Sequence, residues 1–167
     1  MSTTVKKPAA TATAAKSDVT ILLTRDHTEV RKLFKQYEKL ADAKAAPDER
    51  QGLAEEICDK LTAHATAEEE IFYAAARAAD IDSALLDEAE VEHASAKDLI
   101  AQIRAMGPDE DLYDAKVKVL GEYIDHHVQE EEEEMFPKCR RSKMDLADLA
   151  RQVAERKAEL LAEEVGA

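Results

Sequence analysis

The sequence predicts an all-α protein: an antiparallel up-down-up-down four-helix bundle with an additional C-terminal helix. Three observations point there. Ala, Glu, Leu, Lys and Arg dominate, aromatics are 4%, Trp is absent, and Gly and Pro number four each. That mix belongs to helices rather than to a sandwich or barrel. Chain breakers are sparse and divide the sequence into segments of about 25 residues, as antiparallel bundles require. Finally, each of four segments carries an apolar stripe at helical spacing. At 167 residues the chain suits one domain with a real core.

The segments run in order. Residues 1–16, "MSTTVKKPAATATAAK", are small-residue, low-complexity sequence and read as a disordered tail. Ser17 and Asp18 offer an N-cap to a first helix running to about residue 42. "AAPDER" interrupts it, and Pro47 precedes a second helix over about 48–78. "ADIDS" supplies the next cap, Asp82 or Ser83. The third helix stops at "MGP", where Gly107 and Pro108 end it. The fourth spans about 109–135 and meets Pro137, read as its stop. Residues 17–141 thus form the bundle. Residues 142–167 hold a weaker amphipathic helix, "DLADLARQVAERKAELLAEE", which either docks on the bundle or extends from it.

Charge narrows the function classes. The formal net charge is −14, which opposes binding to nucleic acid, where phosphates are neutralised by Lys and Arg. It equally opposes anionic membrane surfaces, while leaving cation binding open. No stretch approaches the roughly 18 apolar residues of a spanning helix. The N-terminus lacks the apolar region of a secretory signal. Cys58 and Cys139 make no disulfide framework, so a cytoplasmic protein with free thiols is expected.

The stripes hold the chemistry. The first reads Leu23, His27, Val30, Phe34, Tyr37. The second reads Leu53, Ile57, Leu61, His64, Glu68, then Ile71 and Phe72. The third reads Leu86, Ala89, His93, Ala96, Ile100, Ile103. The fourth reads Tyr113, Val117, Leu120, Ile124, His127, Glu131, Met135. One histidine on an apolar seam is ordinarily a hydrogen-bonded core residue, and one glutamate in a run is ordinarily solvated. Four of five histidines falling one per seam is harder to explain that way. The i,i+4 spacing stacks His64 with Glu68 and His127 with Glu131 on one face. An ionised carboxylate on a core seam costs several kcal/mol unless it is paired or metal-bound. No Lys or Arg shares these seams; Lys60 and Lys97 lie beside them. A cation inside the bundle removes the penalty and uses neutral imidazoles as donors.

The sequence also repeats itself. "HATAEEEIFYA" from His64 matches "HVQEEEEEMFP" from His127, with Tyr73 opposite Phe136. His27 and His93 each follow an acid, Asp26 and Glu92. Two-fold pseudo-symmetry would bring two His-Glu pairs together. With "LLTRDHTEVRKLF", "HATAEEEIFY", "VEHASAKDLI" and "HHVQEEEEEMFP" in succession, the chain resembles the hemerythrin-like, HHE cation-binding family over about residues 18–141. The resemblance implies two iron ions with an oxo or hydroxo bridge, held by His27, His64, Glu68, His93, His127 and Glu131. The oxygen-carrying hemerythrins take two histidines, one turn apart, from one helix. Here the positions one turn from His93 are Ala89 and Lys97. Two six-coordinate irons offer about twelve positions, and the implied donors and bridge leave about two open. That count points away from reversible oxygen carriage.

The resemblance implies binding of or reaction with O2, NO or peroxide, in oxygen sensing, oxidative or nitrosative stress, or iron homeostasis. A diiron peroxidase, catalase-like or NO-reducing enzyme is the alternative. A metal-stabilised non-catalytic helical module is a third. The Glu-x-x-His signature of ferritin-like proteins and the His-Glu-x-x-His of zinc proteases are both absent. Tyr73 and Tyr123 lie near the histidines as candidate donors or radical sinks, with packing the plainer reading. Asp26 and Glu92, about 100° round from their neighbouring histidines, are expected to face solvent. So are all the glutamates of the 130–134 run except Glu131, and His126 is expected to flank the seam without joining it.

Overall fold

The computed structural model describes residues 18–166; the expected disordered tail and Ser17 lie outside them. Helix α1 (Val19–Asp42) starts at Asp18, whose carboxylate accepts the amide of Thr20, satisfying one orphan donor of the first turn. Helix α2 (Pro47–Ala67) begins with Pro47 in its first turn, where a missing N–H is no loss. A π turn (Glu68–Phe72) then leads into α3 (Tyr73–Ala78). Helix α4 (Ser83–Arg104) is capped by Asp82. Helix α5 (Tyr113–Glu130) passes through a second π turn (Glu131–Met135) into α6 (Phe136–Arg140). Helix α7 (Leu146–Gly166) closes the order. The described residues are helices and connections, with no strand among them.

Two expectations about helix ends change. The fourth segment begins at Tyr113 rather than near residue 109. It also continues past Pro137 to Arg140. Pro137 sits in the first turn after the second π turn, where the widened backbone, not a ladder bond, precedes it.

The helices surround their histidines. Helix α1 lies against α2 and α5, α2 against α4, and α4 against α5. The buried apolar residues form two clusters. One contains Leu23, Phe72, Tyr73, Leu86, Met135 and Phe136. The other contains Val30, Ile57, Leu61, Ile100, Leu120 and Ile124. Among the described residues the buried polar and charged side chains, apart from Thr20, are His27, His64, Glu68, His93, His127 and Glu131. Phe34, expected on the first seam, is only half-buried, and Leu33 takes the interior position.

Helix α7 docks rather than extends. Leu149, Ala150 and Val153 are buried in the first cluster. Arg156 pairs with Glu70 on the first π turn, and Lys157 pairs with Asp26 of α1. Val153 is fully buried, so Val153→Asp would bury an unpaired carboxylate or undock the helix. It is expected to destabilise the protein by about 3 kcal/mol, measured as a lowered midpoint in urea by far-UV circular dichroism.

Candidate metal centre

Each π turn begins at a buried glutamate. The Tyr73 amide donates to the Glu68 carbonyl and the Phe136 amide to the Glu131 carbonyl, i to i+5 in both cases. Such a turn absorbs one extra residue and re-aims the side chains beyond it. Beyond α2 the seam therefore passes from Glu68 to Phe72, Tyr73 and Ala76, all buried, while Ile71 is left half-buried.

The structure brings all six predicted residues together, and the two carboxylates lie between the four imidazoles. Glu68 Oε1 is 3.0 Å from His64 Nε2, and its Oε2 is 3.2 Å from His93 Nε2. Glu131 Oε2 is 3.3 Å from His27 Nε2, and its Oε1 is 3.4 Å from His127 Nε2. Each glutamate thus offers one oxygen to a His27/His64 pole and the other to a His93/His127 pole. At the second pole the two Nε2 atoms stand 3.0 Å apart. Donor atoms at right angles around an ion about 2.1 Å away are separated by about 3 Å. These spacings therefore suit one cation at each pole. Glu68 and Glu131 are partnered only by histidines and Tyr73 among the described residues. Although each lies within ion-pair distance of an imidazole or a carboxylate, His27 Nε2, Glu68 Oε1 and Glu131 Oε2 are buried with no partner at hydrogen-bonding geometry, the condition a cation would relieve.

Each imidazole is oriented from behind by a carboxylate on Nδ1. Asp26 lies 2.9 Å from Nδ1 of His64, and Glu92 lies 2.6 Å from Nδ1 of His127. Glu69 lies 2.9 Å from Nδ1 of His93, and Glu132 lies 2.8 Å from Nδ1 of His27. With Nδ1–H donating, each Nε2 faces the centre, which fixes the tautomer a metal needs. For Asp26, Glu92 and Glu132 this corrects the expectation that they face solvent. The 100° offset that turns Asp26 and Glu92 away from their own neighbours turns them toward histidines on the adjacent helices. The repeat is the signal that could have found them. The acid before each lone histidine serves the His-x3-Glu histidine of the next segment, and the acid after each seam glutamate serves a lone histidine.

Tyr73 is the second correction. Its hydroxyl lies 3.2 Å from His93 Nε2 and 3.3 Å from both His127 Nε2 and Glu68 Oε2, and it donates to Glu131 Oε1. Burial and the Glu131 and Glu68 carboxylates hold the phenol well above its ordinary pKa. Tyr123 is half-exposed and stays at the surface. His126, with a side chain 66% exposed, reaches only Glu92 and Glu130. Cys58 and Cys139 are buried free thiols whose pKa burial pushes up to about 11, so they are poor nucleophiles.

The electrostatics couple the histidines to the buried carboxylates. Burial alone would lower the pKa of His64, but Glu68 and Asp26 override it and raise it to about 10. Burial and Glu131 press Glu68 toward neutrality, yet His64 and His93 keep it below the usual range. His127 likewise lies well above its ordinary value despite burial, because of Glu131 and Glu92.

All four histidines also border a cavity of about 130 Å³, with Val30, Leu61, Ala96, Ile100, Ile124 and Val128 among its other walls.

Residues 18–139 match the family described as Hemerythrin HHE cation binding domain. A DNA nickase from Nostoc sp. (strain PCC 7120) is 31% identical over 129 residues, covering 75% of this chain. The match spans 35% of the nickase, so this chain corresponds to about a third of that protein. The crystal structure of a Hemerythrin HHE cation binding domain-containing protein from Mycobacterium kansasii superposes with a TM-score of 0.71. It is 21% identical, and the match covers 89% of this chain and 90% of that one; it shows the fold.

In metal-free protein the raised His64 pKa stabilises the fold below pH 6.5, and that stability is lost as pH rises toward about 10. Thermal midpoints of chelated protein are therefore expected to fall across this window. Metal-loaded protein should not share that fall, because the cation replaces the protons. Equal slopes in the two forms would contradict the assignment.

Proposed function

The chain belongs to the hemerythrin HHE cation-binding family, and from that premise we propose that it is a non-haem diiron protein that binds or reacts with O2, NO or peroxide. In this reading His27 and His64 would hold one iron and His93 and His127 the other, with Glu68 and Glu131 each offering one oxygen to either side. The helices carrying these donors form the up-down-up-down bundle. The observation that carries the reading is the pair of buried carboxylates, each presenting one oxygen to each histidine pair. When bound, two adjacent irons supply one-electron redox chemistry and open positions for a small ligand.

The chain's own residues do the rest. Asp26, Glu69, Glu92 and Glu132 aim the imidazoles and increase their basicity. Lys157 and Lys97 neutralise two of these acids. The apolar cavity faces the histidines and limits water. At about 130 Å³ it falls below the roughly 300–1,000 Å³ of metabolite-sized pockets, which favours a diatomic or peroxide. Oxygen sensing, oxidative or nitrosative stress, or iron homeostasis in the cytoplasm would be its setting. No helix of the described residues is long and apolar enough to cross a membrane. The relation to a DNA nickase covers a minority of that protein, and a net charge of −14 speaks against a nucleic-acid surface on this part.

Iron quantitation with an absorption spectrum before and after reduction tests the reading. About two irons per chain are expected, with oxo-to-iron charge-transfer bands that bleach on reduction. Colourless protein without iron after growth in iron-rich medium would refute it. Sustained consumption of peroxide or NO, rather than stoichiometric binding, would identify an enzyme. His127→Ala is expected to lose metal, while His126→Ala keeps it, as read by iron content of the two purified variants. The reverse outcome would contradict the seam assignment.

A further inference from the structure

The pseudo-symmetry of the centre fails at one pair of positions. Tyr73 and Phe136 each stand nine residues after the histidine of a His-x3-Glu pair, and each is the first residue beyond a π turn. Both are fully buried. Phe136 lies over the His27 ring, with centroids 5.9 Å apart and planes 7° from parallel. Tyr73 carries a hydroxyl where Phe136 has none, and that hydroxyl lies at the His93/His127 pole.

The phenol has one proton and four polar neighbours, two carboxylate oxygens and two imidazole nitrogens. His93 Nε2, His127 Nε2 and Glu68 Oε2 lie 3.2 to 3.3 Å away, and Glu131 Oε1 also accepts. With Nδ1–H of both imidazoles donating to Glu69 and Glu92, both Nε2 atoms are aimed at the same point, where a metal would replace their protons. A single O–H satisfies one acceptor at a time. The distances to the nitrogens and to Glu68 are those between neighbouring donors in one coordination shell, about 3 Å for an ion about 2.1 Å from each. At the His27/His64 pole no hydroxyl enters, and the three unpartnered buried atoms all belong to that pole.

We propose that Tyr73 is a fifth protein ligand, through its phenol oxygen, of the iron at the His93/His127 pole and of that iron alone. The inference rests on the diiron reading above. The oxygen–metal bond replaces the O–H bond, and the phenol proton passes to solvent as the metal binds. The phenolate adds a third negative charge to that pole beside the shared glutamates, which favours the ferric state there. It also takes an open position on that side. A small ligand is thereby directed to the His27/His64 pole, where Phe136 presents only an apolar face. Tyr73 is not among the residues lining the cavity that borders the histidines, so the phenol does not block entry.

The test uses full-length protein loaded with iron and oxidised in air, beside Tyr73→Phe. Wild type is expected to show a visible phenolate-to-ferric charge-transfer band, with resonance-enhanced tyrosine ring modes on excitation into it. The variant loses both signals and holds one of its irons at least about tenfold more weakly against a competing chelator. Iron-loaded wild type without the tyrosine modes overturns the inference and leaves the diiron reading standing, as does a variant that keeps them. Wild type that binds no iron overturns the diiron reading itself. The wild-type spectrum decides the question even if the variant folds poorly.

Discussion

Two carboxylates buried at the centre of a helical protein set the terms for everything around them. Glu68 and Glu131 are at most 1% exposed, and neither meets a lysine or arginine among the described residues. Left as anions in an apolar interior, each would cost several kcal/mol. Four histidines surround them at about hydrogen-bond distance, and the carboxylates raise the pKa values of His64, His93 and His127, so that protons there can balance part of the charge. Protons are a partial answer, because three buried donor atoms remain unpartnered. Bound cations would complete it, and the family to which the chain belongs is a cation-binding one.

The imidazoles are held from outside as firmly as from inside. Four acids, one behind each ring, come from helices other than the one carrying that ring, so each histidine ties two helices together. Lys157 extends one such chain to α7, through Asp26 to His64. Lys97 extends another, through Glu69 to His93. The C-terminal helix is therefore part of what positions the first pole, beyond covering apolar surface with Leu149 and Val153.

The parts legible in the sequence are those that obey simple helical periodicity. His27, His64, Glu68, His93, His127 and Glu131 lie on seams at three- and four-residue spacing, and the i,i+4 pairs announce themselves. His126 separates from His127 on the same argument and is exposed in the structure. Legibility stops at the π turns. Projecting the 3.6-residue period through Glu68 puts Ile71 on the seam. The actual turn absorbs a residue, so Tyr73 faces inward in its place. Nothing in "EEEIF" or "EEEEM" marks the change of pitch. Asp26 and Glu92 escape sequence reading for a different reason. Periodicity gives their directions relative to their own helix axes, whereas their partners sit on neighbouring helices, which only the packing reveals.

The glutamate run takes its sense from this geometry. Glu131 belongs to the centre, Glu132 orients His27, Glu130 meets His126 at the surface, and Glu133 and Glu134 are exposed. Counting inward, two central carboxylates and four orienting ones place six potential negative charges around four imidazoles. Lys157 and Lys97 answer two of them. The excess is local and buried or half-buried, where solvent screens it weakly. Such a field stabilises positive charge at the centre, and in a bound redox-active metal it would favour the oxidised state. It acts almost evenly on both poles, because the acids follow the repeat. Any inequality between the two poles must then come from where the repeat breaks, and among the aromatic residues packed on the centre that is the exchange of a phenol for a phenyl ring between Tyr73 and Phe136.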